Sequence, residues 1–135
     1  MTLEEAVLLA GRLLLSWLFI LSGYRHLVHL KPMAGYARTS GVPMPDVAVA
    51  VTGLMILAGG LSILLGWHPR IGAALIFVFL IVVAFWMHRF WSFTDPMQRA
   101  TQEAHFWKNI ALAGAMLWII AWTHWPWPLA LGLTA

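Results

Sequence analysis

VAVAVTGLMILAGGLSILLGW, residues 47–67, runs for twenty-one residues without a charged side chain. A bilayer core about 30 Å thick is crossed by about 20 helical residues, so this segment predicts a membrane-spanning helix. Upstream lies a second apolar stretch, about residues 6–26, broken only by Arg12 two turns in, where a long side chain can snorkel or turn into a bundle. Downstream, the tight turn Gly66-Trp67-His68-Pro69-Arg70 leads into a third span, about 71–91, uncharged from Ile71 to Met87 and ending in His88-Arg89-Phe90-Trp91. Polar and aromatic residues of that kind suit a membrane interface. The fourth span, about 106–125, is uncharged after Lys108, and its apolar run from Asn109 should be stopped by Trp125-Pro126-Trp127-Pro128. The residues after it are too few to cross again.

The expected fold is therefore all-α: a polytopic membrane protein, one domain over 1–135, built as a four-transmembrane-helix bundle. Between the first and second spans, residues 29–45 carry turn signals at Pro32, Gly35, Gly41, Pro43 and Pro45, and a short interfacial helix is expected around 34–39. Composition agrees: 61% of the residues are apolar and 10% charged, too few ions to clothe a soluble globule of this size. No cysteine is present, which removes disulfide relays, thiolate nucleophiles, iron–sulfur clusters and covalent haem attachment. The net charge of +3 is scattered, so no nucleic-acid partner is expected.

Cations set the orientation. The first and third connections with their helix ends hold Arg25, Lys31, Arg38, Arg89, Arg99 and Lys108, against Arg12 and Arg70 on the other side. The positive-inside bias places both termini outside the cytoplasm. Glu4 and Glu5 stand where a cleaved signal peptide would be basic, so the first helix is expected to be retained. Small residues should line the helix interfaces: Ala58, Ser62 and Gly66 at spacing four beside Gly59 and Gly60, and Ala111 with Ala115.

With this topology, alternate helix ends meet at one membrane face, and polar side chains gather there. In the fourth helix Gln102, His105 and Asn109 fall within about 60° of one another, and the stripe continues through Ala113 and Met116. In the first helix Arg12, Ser16, Phe19, Gly23 and His26 share a side, making a secondary polar path through Arg12 and Ser16. The candidate ligand-binding residues are His26, His88, Trp91, Gln102, His105, Lys108 and Asn109. The competing reading of this group is a set of interhelical hydrogen bonds that fix the bundle. His26-x-x-His29 has metal-type spacing but lacks a third ligand in sequence, and no metal site is assigned.

The chain resembles the DoxX-like family of small four-helix membrane proteins along nearly its whole length. The likeness rests on Arg12 leading to Ser22-Gly23, on Gly41-Val42-Pro43-Met44-Pro45, and on Gly59-Gly60 followed by Gly66-Trp67-His68-Pro69-Arg70. Stronger still are His88-Arg89-Phe90-Trp91 and the run Phe106-Trp107-Lys108-Asn109-Ile110-Ala111-Leu112-Ala113-Gly114. The resemblance implies a bacterial-type inner (cell) membrane bundle, in a family named from members linked to thiosulfate:quinone oxidoreduction. Relatives often carry a glutamate where this chain has Ile56, and a lysine where it has His26.

Three functions compete. The first is a membrane protein that binds a small hydrophobic ligand or a partner through the polar face. The second is a quinone-linked oxidoreductase subunit, with quinone as its cofactor and a redox protein as its partner, because His88, Trp91, Gln102, His105 and Lys108 could donate hydrogen bonds to a quinone's carbonyls. No flavin or metal motif is recognisable, so no electron carrier is evident in the chain itself. The third, a metal handler using seven methionines and six histidines, ranks last because scattered methionine usually fills core space.

Overall fold

The computed structural model describes residues 1–122 and 127–130. Its helices are α1 (Leu3–Val28), α2 (Leu30–Thr39), α3 (Pro45–Leu65), α4 (Pro69–Met87) and α5 (Pro96–Ala121), with a 3₁₀ turn at Phe90–Ser92. Among the described residues four helices, α1, α3, α4 and α5, are long and apolar enough to cross a membrane. The protein is thus an all-helical four-helix membrane bundle with a short helix between its first two spans.

Local chemistry sets the helix ends. Thr2 caps α1 reciprocally: its Oγ1 accepts from the Glu5 N–H at 3.1 Å, and its own N–H donates to Glu5 Oε2 at 2.8 Å. Asp95 caps α5 by accepting from the Gln98 N–H at 3.0 Å, and Pro96 occupies the first turn, where no helical N–H acceptor exists to be lost. This start lies ten residues before the expected 106. Gln98, Arg99, Thr101, Gln102 and Glu103 keep the opening turns polar, so hydropathy hid what the Asp-Pro cap announced. With 26 residues, α5 is about 39 Å long and its N-terminal turns project past the apolar layer.

Two other boundaries moved. His29 closes α1 and opens α2 at once, so α2 runs ten residues from Leu30 and only one turn, around Gly41 at φ +76°, leads into α3. Pro32 did not delay α2, since proline is tolerated in a first helical turn. Helix α4 ends at Met87, and His88 to Trp91 leave the helical path. The expected stop at Trp125-Pro126 and residues 131–135 lie outside the described residues.

Packing runs in sequence: α1 against α3, α3 against α4, α4 against α5, with α2 laid across the end of α3. The buried residues of α1 are Arg12, Ser16, Phe19, Gly23 and His26, the side the sequence marked out. In α5 the buried face is Phe106, Asn109, Ala113, Met116 and Ile119, again following the expected stripe. Of the expected interface residues, Gly59, Gly60 and Gly66 are buried and Ser62 packs against Gly72, whereas Ala58 and, on α5, Ala111 are exposed; Gly53, not expected, is buried too. Contact is made wherever a neighbour's backbone arrives. A Cβ on Gly59 would stand 2.8 Å from the Gly72 carbonyl oxygen, and one on Gly23 2.8 Å from that of Gly53.

The apolar core of Phe19, Ile56, Ile63, Ile76, Leu80, Ala113 and Met116 sits at mid-depth. Ile56 is fully buried there, so the position where the resemblance expects a glutamate is filled by a dry apolar contact. Helices α1 and α5 do not pack closely on each other. Between them the core leaves two cavities, one toward each membrane face.

Candidate functional site

The first cavity, of about 440 Å³, lies at the face where α1 and α4 end and α3 and α5 begin. That size suits a small-molecule pocket. Its walls are mainly apolar, with Phe19, Phe79, Leu80, Val83 and Leu112 among them, and α2 roofs it through Met33, Tyr36 and Ala37. Polar groups enter from α1 (Ser22 and His26), α4's end (His88) and α5 (Lys108 and Asn109).

Each polar group has a distinct state. His26 is 8% exposed; its Nδ1 donates to the Ser22 carbonyl at 2.7 Å, and its ring meets Phe79 edge-on with centroids 5.9 Å apart. That bond fixes the ring and leaves Nε2 as the nitrogen available to a ligand. Asn109 is 5% exposed and lines the cavity, and its carboxamide makes no hydrogen bond with the described residues. An amide that reaches a cavity without a protein partner offers a ligand or water two donors and an acceptor. Thr52 also reaches the cavity, but its hydroxyl is spent on the Ala48 carbonyl at 2.7 Å.

At the cavity mouth a short relay ties three elements together. His88 Nδ1 donates to Gln102 Oε1 at 2.8 Å, and Gln102 Nε2 donates to the Tyr36 hydroxyl at 3.2 Å. His105 stacks on His88, centroids 5.1 Å apart and planes 28° from parallel, while Lys108 Nζ donates to His105 Nδ1 at 3.5 Å. Arg89 Nη2 and the Trp86 indole both donate to the Ser40 carbonyl, fastening the end of α4 to the end of α2. Replacing Gln102 by leucine should unpair both His88 and Tyr36 and lower stability in detergent by about 1 kcal/mol, measured as a fall in the unfolding midpoint.

Of the sequence candidates, His26, His88, Lys108 and Asn109 line this cavity. Gln102 and His105 stand behind it as partners of His88. Trp91 belongs to a different group: it is 50% exposed and packs among Phe85, Phe90 and Phe106 at ring distances of 5.3–6.3 Å. Arg12 and Ser16 lie toward the other face and form no path to it, because Ser16 donates to the Arg12 carbonyl at 2.6 Å and lines neither cavity. Sequence reasoning missed Ser22 and Tyr36. Among the described residues no group of three His, Asp or Glu side chains could hold a metal ion.

A DoxX family profile matches residues 7–89, most of α1 and all of α2 to α4, and takes in His26 and His88 of the polar face. The chain belongs to the DoxX family. Among curated proteins it is similar to the inner membrane protein YphA of Escherichia coli strain K12, 28% identical over 114 residues, covering 84% of this chain and 81% of the relative. No solved structure matches it significantly. The DoxX match stops at Arg89, so Gln102, His105, Lys108 and Asn109 are assigned to the site by geometry and not by the profile.

Proposed function

We propose that this DoxX-family protein resides in the inner membrane, as the name of its relative states for that protein, and binds a small, mainly apolar molecule in the 440 Å³ cavity. The observation that carries this reading is the Asn109 carboxamide, which lines the mainly apolar cavity and makes no hydrogen bond with the described residues. The ligand's polar end meets Asn109, with Ser22, His26 and Lys108 around it, while its body lies against Phe79, Leu80 and Leu112. An amide offers both donors and an acceptor, so the ligand carries a carbonyl or hydroxyl.

A quinone is the specific case that the donors favour. Its carbonyl oxygens would accept from the Asn109 amide and the Lys108 ammonium, and its isoprenoid tail suits the apolar walls. A role as a subunit of a quinone-linked oxidoreductase would add a redox protein that delivers electrons. The test is retention of a short-tailed ubiquinone by the purified protein, read by extraction and optical spectroscopy. Stoichiometric, saturable retention upholds the quinone case, and retention of other carbonyl-bearing apolar molecules instead restricts the reading to ligand binding.

Orientation is open to a direct experiment because the chain has no native cysteine. The cation bias predicts that Met97→Cys, at the start of α5, is shielded from an impermeant maleimide added outside intact cells. Trp67→Cys, on the turn between α3 and α4, should be labelled. Reversed labelling would invert the topology.

A further inference from the structure

The second cavity, about 540 Å³, opens between the N-terminal half of α1 and the C-terminal half of α5, at the membrane face opposite the first. Its one charged lining residue is Arg12, which is 7% exposed. The guanidinium carries five N–H bonds. Nη2 donates to the Pro128 carbonyl at 2.8 Å, but Nε and Nη1 are buried with no hydrogen-bond partner among the described residues. Among the described residues no carboxylate pairs with it: the ion pairs there are those of Asp46 with Lys31 and Arg38, at the other face. A cation inside a membrane bundle without a counter-ion marks a site that awaits an anion.

The cleft beside it is shaped for a chain. Gly11 on α1 and Gly114 on α5 both line it, and a Cβ at either would meet nothing within 4 Å. These glycines therefore do not serve close helix packing, unlike Gly23 and Gly59. They leave a trough along the helices, walled by Leu8, Leu15 and Trp118. The Trp127 ring lies over the guanidinium, with Arg12 Cζ 5.5 Å from its centroid, and forms the end wall together with Pro128.

The geometry points to a binding site for an anionic amphiphile: a carboxylate or phosphate head accepting from Arg12 Nε and Nη1, and an acyl chain lying in the trough beside Gly11 and Gly114. The head takes the N–H groups that the protein leaves unpaired, which requires the Trp127 ring to move aside. The shared chemistry has two sources, a free fatty acid and an acidic phospholipid. This site is separate from the cavity at Asn109 and stands or falls independently of it.

Native mass spectrometry of the full, delipidated chain in detergent tests the proposal, with palmitoleate, phosphatidylglycerol and phosphatidylcholine as probes. Retention of one or both acidic probes at least about tenfold above phosphatidylcholine is expected, a factor about equal to one charge-assisted contact. Retention of palmitoleate alone identifies the fatty acid, and of phosphatidylglycerol alone the phospholipid. Arg12→Gln should abolish the preference. Because Arg12 also ties down Pro128 and that variant could fold poorly, Gly114→Leu supplies a second arm: its Cβ meets no neighbour and its branch extends into the trough, so binding should fall while the unfolding midpoint holds. Equal retention of phosphatidylcholine, failure of both acidic probes, or undiminished binding in Gly114→Leu would each overturn the assignment.

Discussion

Gly23→Val is expected to destabilise the bundle by about 3 kcal/mol or more, beyond the usual 1–3 kcal/mol of an overpacked core. A Cβ at Gly23 would stand 2.7 Å from Leu57 Cβ, 2.8 Å from the Gly53 carbonyl oxygen and 2.8 Å from the Leu57 nitrogen. Two of those three atoms are backbone and cannot rotate away, so α1 and α3 must separate along their seam. The opposite position is equally tight, since a Cβ on Gly53 would meet His26 Cβ at 2.6 Å. Separation would therefore also displace His26 from the wall of the first cavity. Unfolding in detergent, followed by circular dichroism, gives the measurement. Gly35→Ala is the control: a Cβ there meets nothing within 4 Å, and the helix should gain about 0.4–1 kcal/mol from reduced freedom of the unfolded chain. Equal midpoints for Gly23→Val and the parent would remove the α1–α3 seam as the basis of this fold.

Asn109→Leu should abolish ligand retention in the first cavity while leaving the bundle as stable as before, or more so. The two side chains have similar size, and the amide makes no hydrogen bond with the described residues. No protein hydrogen bond is lost to folding when it goes. A ligand carbonyl or hydroxyl loses its hydrogen bond and then faces a methyl group, which weakens binding by about tenfold or more. Titration of a short-tailed ubiquinone against both forms reads the effect. If Asn109→Leu binds as the parent does, the amide is not the recognition point. If its midpoint drops sharply, the amide has a structural partner instead.

The polar stripes were legible in the sequence because a helix turns by a constant angle. Arg12, Ser16, Phe19, Gly23 and His26 had to share a face, and in a membrane bundle that face turned inward. Gln102, His105 and Asn109 shared another for the same reason. What spacing could not show was which of these reached open space. Gln102 and His105 spend their polar atoms on His88, Tyr36 and Lys108, whereas Asn109, about one turn beyond His105 and two beyond Gln102, makes no hydrogen bond with the described residues. Trp91 looked like part of the same face but was drawn off by Phe85, Phe90 and Phe106, partners supplied by the break after Met87.

Sequence by itself determined the number of spans, their order and the faces that α1 and α5 bury, because those follow from bilayer thickness and helical period, which do not depend on neighbours. Tertiary structure alone decided where α1 and α5 stand apart and so where the cavities lie. It also separated Gly23 and Gly59, pressed against a backbone, from Gly11 and Gly114, which face open space. Glycine reads the same in every row of a sequence; whether it brings two helices together or leaves room for a guest depends on which backbone arrives opposite it.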